Sequence, residues 1–336
     1  MESVLVKEYR ADIMECAHHG HISIVNERGE VTASAGDPDF VTFTRSAAKP
    51  LQAIAAIRGG IASRFGLSGK EIAIMTASHV AEPEHVEVLE SFMQKTGLSE
   101  TELICASSYP LNERSKEDVL RHDGSKRRLY HNCSGKHLGV LAYCKMKGYP
   151  LEGYADPEHP VQKEIIETVS MMCGIKAEQI VLGTDGCGFP VFGLPLSAMA
   201  SAYVKLACPD LIADEATREA VTIITQAMNR HPEMVGGSGR LDSLVLQDSN
   251  IIAKGGFKGV YCFGLKKERL GIAFKVLDGS EEEWGLIVQA ILEQTGYANP
   301  SLIRQMKEDF THDIYNDAGK KVGYADTVFQ LRFTQP

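Results

Sequence analysis

Ser46 and Lys49, in the stretch Arg45-Ser46-Ala47-Ala48-Lys49-Pro50, carry the clearest chemical potential in this chain. Residues at i and i+3 share a helix face, so the hydroxyl and the amine can meet. A hydroxyl is a poor nucleophile until a nearby base takes its proton. A lysine can be that base only if burial or a neighbouring cation lowers its pKa. The spacing therefore describes a nucleophile with its own base, and acyl transfer through a covalent serine ester. The plainer reading is a Ser46 that caps a helix beside a solvated Lys49.

Further segments add reactive groups. Ser78 follows Met75-Thr76-Ala77 and could be a second active-site hydroxyl, at the loop exit of a strand containing Ile72-Ala73-Ile74. Otherwise it is a loop serine ahead of a helix that starts near Pro83. His131-Asn132-Cys133-Ser134-Gly135-Lys136-His137 is dense in side chains that bind metals or move protons. Cys133 and Cys187 could be two zinc thiolates, with an imidazole or another donor completing the site, or two small buried residues. Gly183-Thr184-Asp185-Gly186-Cys187-Gly188 lacks the dinucleotide fingerprint and the Walker lysine, which excludes nucleotide binding there. Lys254-Gly255-Gly256 places a lysine beside a backbone that substrate can approach closely. It is similar to the K-T-G element that accompanies S-x-x-K in penicillin-recognising enzymes, though a plain turn would read the same way. Gly236-Gly237-Ser238-Gly239-Arg240-Leu241-Asp242 offers an arginine suited to a bidentate grip on a carboxylate, or a surface loop with a solvated arginine.

Strands and helices must hold these groups in place. Val4–Val6, Ile13–Ala17, Ile22–Val25 and Val31–Ser34 read as strands, the last two joined by the turn Asn26-Glu27-Arg28-Gly29. Pro50 is best tolerated in a first helical turn, so a helix begins near Ala47 to Lys49 and runs through Ile57. Further helices are expected from Pro83 to Gly97, Ser134 to Lys147, Pro160 to Gly174 and Ala213 to Asn229. Lys258–Leu265 and Leu270–Val276 return to strands, and a helix follows over Glu281–Gln294. The order predicts an α+β fold, an antiparallel sheet from both chain ends with a mainly helical region inserted. It is read as one domain over 1–336, with the sheet part at about 1–45 and 236–336 and the helical part at about 46–235.

Composition narrows the function classes. A net charge of -9 argues against a nucleic-acid partner. No signal peptide or membrane span is expected from the N-terminus or from any apolar run. The eight cysteines are scattered without a disulfide framework, which points to reduced thiols and a cytoplasmic location.

Taken together, Ala35-Gly36-Asp37-Pro38, the Arg45–Pro50 stretch, Ser78-His79, Asn132–His137, Gly183–Pro190, Gly236–Asp242 and Lys254–Gly256 resemble the L-asparaginase II family of Rhizobium etli-type asparaginases. The resemblance implies a fold like that of the serine β-lactamases and penicillin-binding proteins, a homodimer, and hydrolysis of L-asparagine to L-aspartate and ammonia. It implies Ser46 as nucleophile, Lys49 as base, and Ser78 in the proton relay. It also implies zinc held by Cys133, Lys136 and Cys187, with Arg45, His137, Asp185 and Lys254 around the substrate. Arg45 would suit the substrate carboxylate and Asp185 its ammonium, with Arg240 the next candidate for the carboxylate. The alternatives are another S-x-x-K amidohydrolase acting on glutamine or a peptide-like amide, or a non-catalytic zinc protein of the same fold.

Overall fold

Strand pairing joins the two ends of the chain. The computed structural model describes residues 1–334. Its strands are β1 (Ser3–Arg10), β2 (Ile13–Val25), β3 (Val31–Ala35), β4 (Val41–Phe43), β5 (Val181–Thr184), β6 (Pro190–Pro195), β7 (Ile251–Gly255), β8 (Val260–Leu265), β9 (Leu270–Val276), β10 (Asp313–Tyr315), β11 (Lys321–Thr327) and β12 (Arg332–Phe333). The large sheet runs β10-β11-β1-β2-β9-β8-β7, with β3 on β2 and β12 on β3, and the pairings are antiparallel. Ile13–Ala17 and Ile22–Val25, read as two strands, are one. The first part of β2 pairs with β1, and Gly20–Val25 pairs with β9.

Strands β7 and β8 are buried along their whole length, because layers cover both faces of the sheet. On one face lies the helix Leu196–Ala207. Gly264 and Gly271 sit opposite each other on β8 and β9. A Cβ on Gly264 would meet the Tyr203 carbonyl oxygen at 2.2 Å, and one on Gly271 the Ala200 carbonyl oxygen at 1.9 Å. Only glycine lets the helix backbone rest directly on the strands. The helix Trp284–Gln294 covers the other face, where Trp284, Ile287 and Ile291 pack in a second apolar core.

The chain between the sheet halves is mainly helical, and the helices Ser134–Lys147 and Pro160–Cys173 form over the expected residues. It also carries a small sheet, β4-β6-β5. One expectation is corrected. Ile72-Ala73-Ile74 is not a strand but lies in the helix Gly69–Met75. Ser68 and Glu71 form a capping box there, each side chain accepting from the other's backbone N–H. That local device outweighs the β-branched run.

Candidate active site

Four segments from distant parts of the chain meet around the loop that carries Ser78, at one cleft. The first holds Arg45–Ala48, a 3-10 turn that feeds the helix Lys49–Arg58 with Pro50 in its first turn. Thr44, not Ser46, stands at the N-cap of that turn, and Ser46 lines the cleft. Arg45 has φ +48, a left-handed conformation that is strained for arginine and sets the direction in which the turn presents its side chains.

Lys49 is 1% exposed, which removes the reading of a solvated lysine. Its Nζ lies 2.5 Å from the Ala77 carbonyl oxygen, 3.2 Å from that of Asn132, and 3.1 Å from Ser78 Oγ. Ser46 is not among its hydrogen-bond partners, so the amine reaches Ser78 first. Burial lowers the Lys49 pKa, and Lys136 adds to that, against the opposing pull of Cys133. A neutral amine has two N–H donors for the two carbonyls and a lone pair for the Ser78 hydroxyl. Ser78 lies on the loop after Gly69–Met75, and its own N–H donates to the Val235 carbonyl at 2.9 Å. Next to it, His79 is fully buried against Ser134 Oγ, Nε2 to oxygen 2.9 Å, and burial holds it neutral.

The second segment is the start of the helix Ser134–Lys147. Gly135 lets this helix approach Gly69–Met75, since a Cβ there would meet the Ile74 carbonyl oxygen at 2.2 Å. Lys136 is buried, with Nζ 3.1 Å from Cys187 Sγ and 4.0 Å from the Phe189 ring centroid. The Cys133 and Cys187 thiols face each other. The Cys187 thiol as donor, with Lys49 and Lys136 nearby, holds Cys133 well below the ordinary thiol range. Burial pushes Lys136 down, yet the two sulfurs outweigh it and its pKa rises. Two soft sulfur donors and a nitrogen thus converge in a buried pocket wall. This set fits zinc, with the lysine surrendering a proton on binding. His137 stands one layer behind the cleft wall. Its Nδ1 is 2.7 Å from the Tyr154 hydroxyl, its Nε2 has no hydrogen-bond partner, and burial lowers its pKa to about 4.

The loop after β5 supplies Asp185. Its Oδ1 already takes the Arg45 guanidinium, Nη2 to oxygen 2.6 Å. The Arg45 guanidinium also sits 5.1 Å from the Phe257 ring centroid. The two groups expected to take opposite ends of a substrate therefore hold each other.

The fourth segment is β7 with the preceding loop. Lys254 is buried, its Nζ 2.5 Å from Asp242 Oδ2, while Gly255 N–H donates to Asp242 Oδ1 at 2.8 Å. Burial lowers Lys254 to about 8, and Asp242 opposes that shift. Burial pushes Asp242 up, but Lys254 outweighs it and keeps the carboxyl below its ordinary range. Arg240 lines the cleft with Ser78 and Gly256. Its guanidinium makes a long 3.4 Å hydrogen bond to the Ser78 carbonyl, and no carboxylate among the described residues forms a salt bridge with it. Phe257, Glu281 and His131 also line the cleft. Sequence reasoning gave Phe257 and Glu281 no role, and took His131 only as part of the reactive stretch His131–His137. Only the closeness of Phe257 to Lys254-Gly255-Gly256 and of His131 to Cys133 hinted at a place there.

A buried lysine amine against a serine hydroxyl, at a cleft carried by an antiparallel sheet with an inserted helical layer, belongs to a mixed α+β architecture. The chain belongs to the L-asparaginase II family, whose pattern matches residues 6–327. No curated protein matches it by sequence. Among solved structures it is similar to Mglu in its native form, at 13% identity and TM-score 0.47 over 84% of this chain. It spans 63% of the length of Mglu. It is also similar to a β-lactamase from Mycobacterium bovis, at 15% identity and TM-score 0.39 over 82% of this chain and 94% of that one. The D-alanine carboxypeptidase AmpC from Burkholderia cenocepacia stands at 13% and 0.39, over 82% and 93%. No helix among the described residues is long and apolar enough to cross a membrane.

Proposed function

We propose that this protein is an L-asparaginase that forms a covalent ester on Ser46 and releases ammonia and L-aspartate. The observation that carries the reading is the buried Lys49 amine held against Ser78 beside Ser46, in a chain of this family. In the forward step Ser46 attacks the side-chain amide carbon, and its proton passes through Ser78 to Lys49. The Ser46 N–H opens a helical turn and is one of the donors that such a start leaves without an intrahelical acceptor. It suits the developing oxyanion. Lys49 then returns the proton through Ser78 to the leaving nitrogen, and water cleaves the ester. Ammonia release from asparagine, glutamine and aspartyl-peptides tests the reading. Preference for glutamine would make it a glutaminase, and no release from any amide would leave a zinc protein without this activity. Glutamine differs by one methylene, worth about 10- to 200-fold at most.

The α-carboxylate of asparagine is assigned to Arg240. Arg45 is already paired with Asp185, whereas half-buried Arg240 forms no salt bridge among the described residues and makes one long hydrogen bond to the Ser78 carbonyl. Arg240→Lys is expected to lower kcat/KM for free asparagine by at least about 30-fold, because lysine cannot form the bidentate grip. The same change should barely affect asparagine whose α-carboxylate is blocked. Equal losses on both substrates would remove Arg240 as the clamp and return the role to Arg45.

Cys133, Lys136 and Cys187 would hold zinc. The bound cation would supply a fixed positive charge that orients substrate and shapes the cleft wall, since Ser46 already provides the nucleophile. Purified protein is expected to carry about one zinc per chain at this site. Cys133→Ala and Cys187→Ala should each reduce its affinity there sharply, and stripping the metal should raise KM more than it lowers kcat. Unchanged affinity in both variants would exclude these ligands. The homodimer belongs to the same proposal. Val41, Phe43, Val181 and Leu182 expose apolar surface on the small sheet, which a second copy would cover.

A further inference from the structure

A second group of metal-ligating side chains lies outside the residues that line the cleft. Glu8 on β1 is the partner of Cys16 on β2, and His18 follows Cys16 by two residues, so one face of the ribbon presents all three. The Glu8 carboxylate, Cys16 thiol and His18 imidazole bring ligand atoms within 4.8 Å of one another. Glu283, just before the helix Trp284–Gln294, adds a second carboxylate. Its Oε1 is 3.3 Å from His18 Nε2, and Glu8 Oε1 is 3.7 Å from the same nitrogen. On the other side of the ring, Nδ1 is 2.7 Å from Asp278 Oδ2.

The two central side chains are deeply placed, His18 at 9% exposure and Glu283 at 3%. His18 Nε2 and Glu283 Oε2 are both buried without a hydrogen-bond partner. Asp278 accepts the proton of Nδ1, which leaves the lone pair on Nε2. That lone pair then faces two carboxylates away from water, an arrangement that calls for positive charge between them. A proton on Nε2 answers poorly, because neither carboxylate stands in hydrogen-bond geometry to it and Glu283 Oε2 stays unmatched. A cation answers all of them. Tetrahedral zinc with bonds of about 2.0–2.2 Å keeps its oxygen and nitrogen ligands about 3.3–3.6 Å apart, close to the two observed separations. One imidazole, one thiol and two carboxylates suit zinc better than magnesium or calcium, which take oxygen sets.

We propose that Glu8, Cys16, His18 and Glu283 form a second, structural zinc site, with Asp278 orienting the His18 ring. The carboxylate–histidine–metal arrangement is the one that fixes tautomer and ring direction in metalloproteins. Glu8, Cys16 and His18 bring their ligand atoms mutually within 4.8 Å, and Glu283 joins the set from the His18 side. The site ties the β1–β2 ribbon to the segment from Asp278 to Glu283, whose Glu281 and Glu282, with the following Trp284, line the cleft. It thereby holds one cleft wall in place, and it stands whatever the substrate is.

The test uses the full chain and zinc alone, with Cys133→Ala and Cys187→Ala combined to remove the cleft thiols. This double variant is expected to bind about one zinc per chain by calorimetry and metal analysis. Adding Glu283→Gln or His18→Gln should weaken that binding by more than about tenfold, and Asp278→Asn by about tenfold. Cobalt in place of zinc should show a thiolate charge-transfer band that Cys16→Ser abolishes while circular dichroism stays native. Should the double variant not fold, the wild type serves instead, and should take up one zinc more than Glu283→Gln. A folded double variant that binds no zinc, or equal zinc in wild type and Glu283→Gln, overturns the proposal.

Discussion

Ser46→Ala is expected to abolish ammonia release from L-asparagine, by at least about 10⁴-fold in kcat, while the protein folds as before. Loss of a covalent nucleophile has that scale, because the remaining groups bind substrate without a route through the ester. The fold has little to lose. Thr44 takes the N-cap of the turn, and the Ser46 side chain opens on the cleft rather than packing in the core. A lost cap would in any case cost only about 1 kcal/mol. The measurement is turnover together with the melting temperature of the same preparation. Turnover within a few-fold of wild type would end the nucleophile assignment, whatever the melting temperature shows.

Lys49→Met is expected to be nearly as damaging, and the pH profile separates its role from a structural one. Lys49 is completely enclosed, and burial lowers its pKa from the ordinary lysine value of about 10.4. The neutral amine is the form that can accept a proton from Ser78. In the wild type, kcat/KM should therefore rise with pH through the lowered Lys49 value and fall away below it. A bound dication nearby would lower that value further and leave the sign unchanged. Lys49→Met should remove this acid limb, leaving a flat residual rate. An identical limb in both proteins would assign it to another group. The same shift has a sign for stability. The folded protein disfavours the ammonium, so between the folded and unfolded values of Lys49 the unfolded state binds more protons. The contribution of this residue to stability accordingly grows as pH rises through that window, and its cost is fully present below the folded value.

Much of the local structure was legible along the chain. Proline at the start and glycine just past the end bound Pro160–Cys173, and the turn Asn26–Gly29 announces the pairing of β2 with β3. Those signals act between near neighbours and need nothing from the rest of the molecule. Where two local signals competed, the reading failed. Ile72-Ala73-Ile74 looked like a strand, but the Ser68–Glu71 capping box made a helix of it. Residues 18–21 looked like a break, yet pairing with β1 and then β9 carries β2 straight through.

The sequence by itself determined which reactive groups exist and which sit at helix starts. Ser46 and Lys49 belong together because three residues of helical turn separate them. The tertiary structure alone decided which groups are partners. Lys49 meets Ser78, 29 positions away, before Ser46. Arg45 pairs with Asp185 and Lys254 with Asp242, while Arg240 forms no salt bridge among the described residues. His18 finds Glu283 only because β2 lies beneath the segment that follows β9. A charge is committed by whatever the sheet register and helix packing place within a few ångströms of it. Periodicity and spacing describe one element at a time, so they carry no record of that distance.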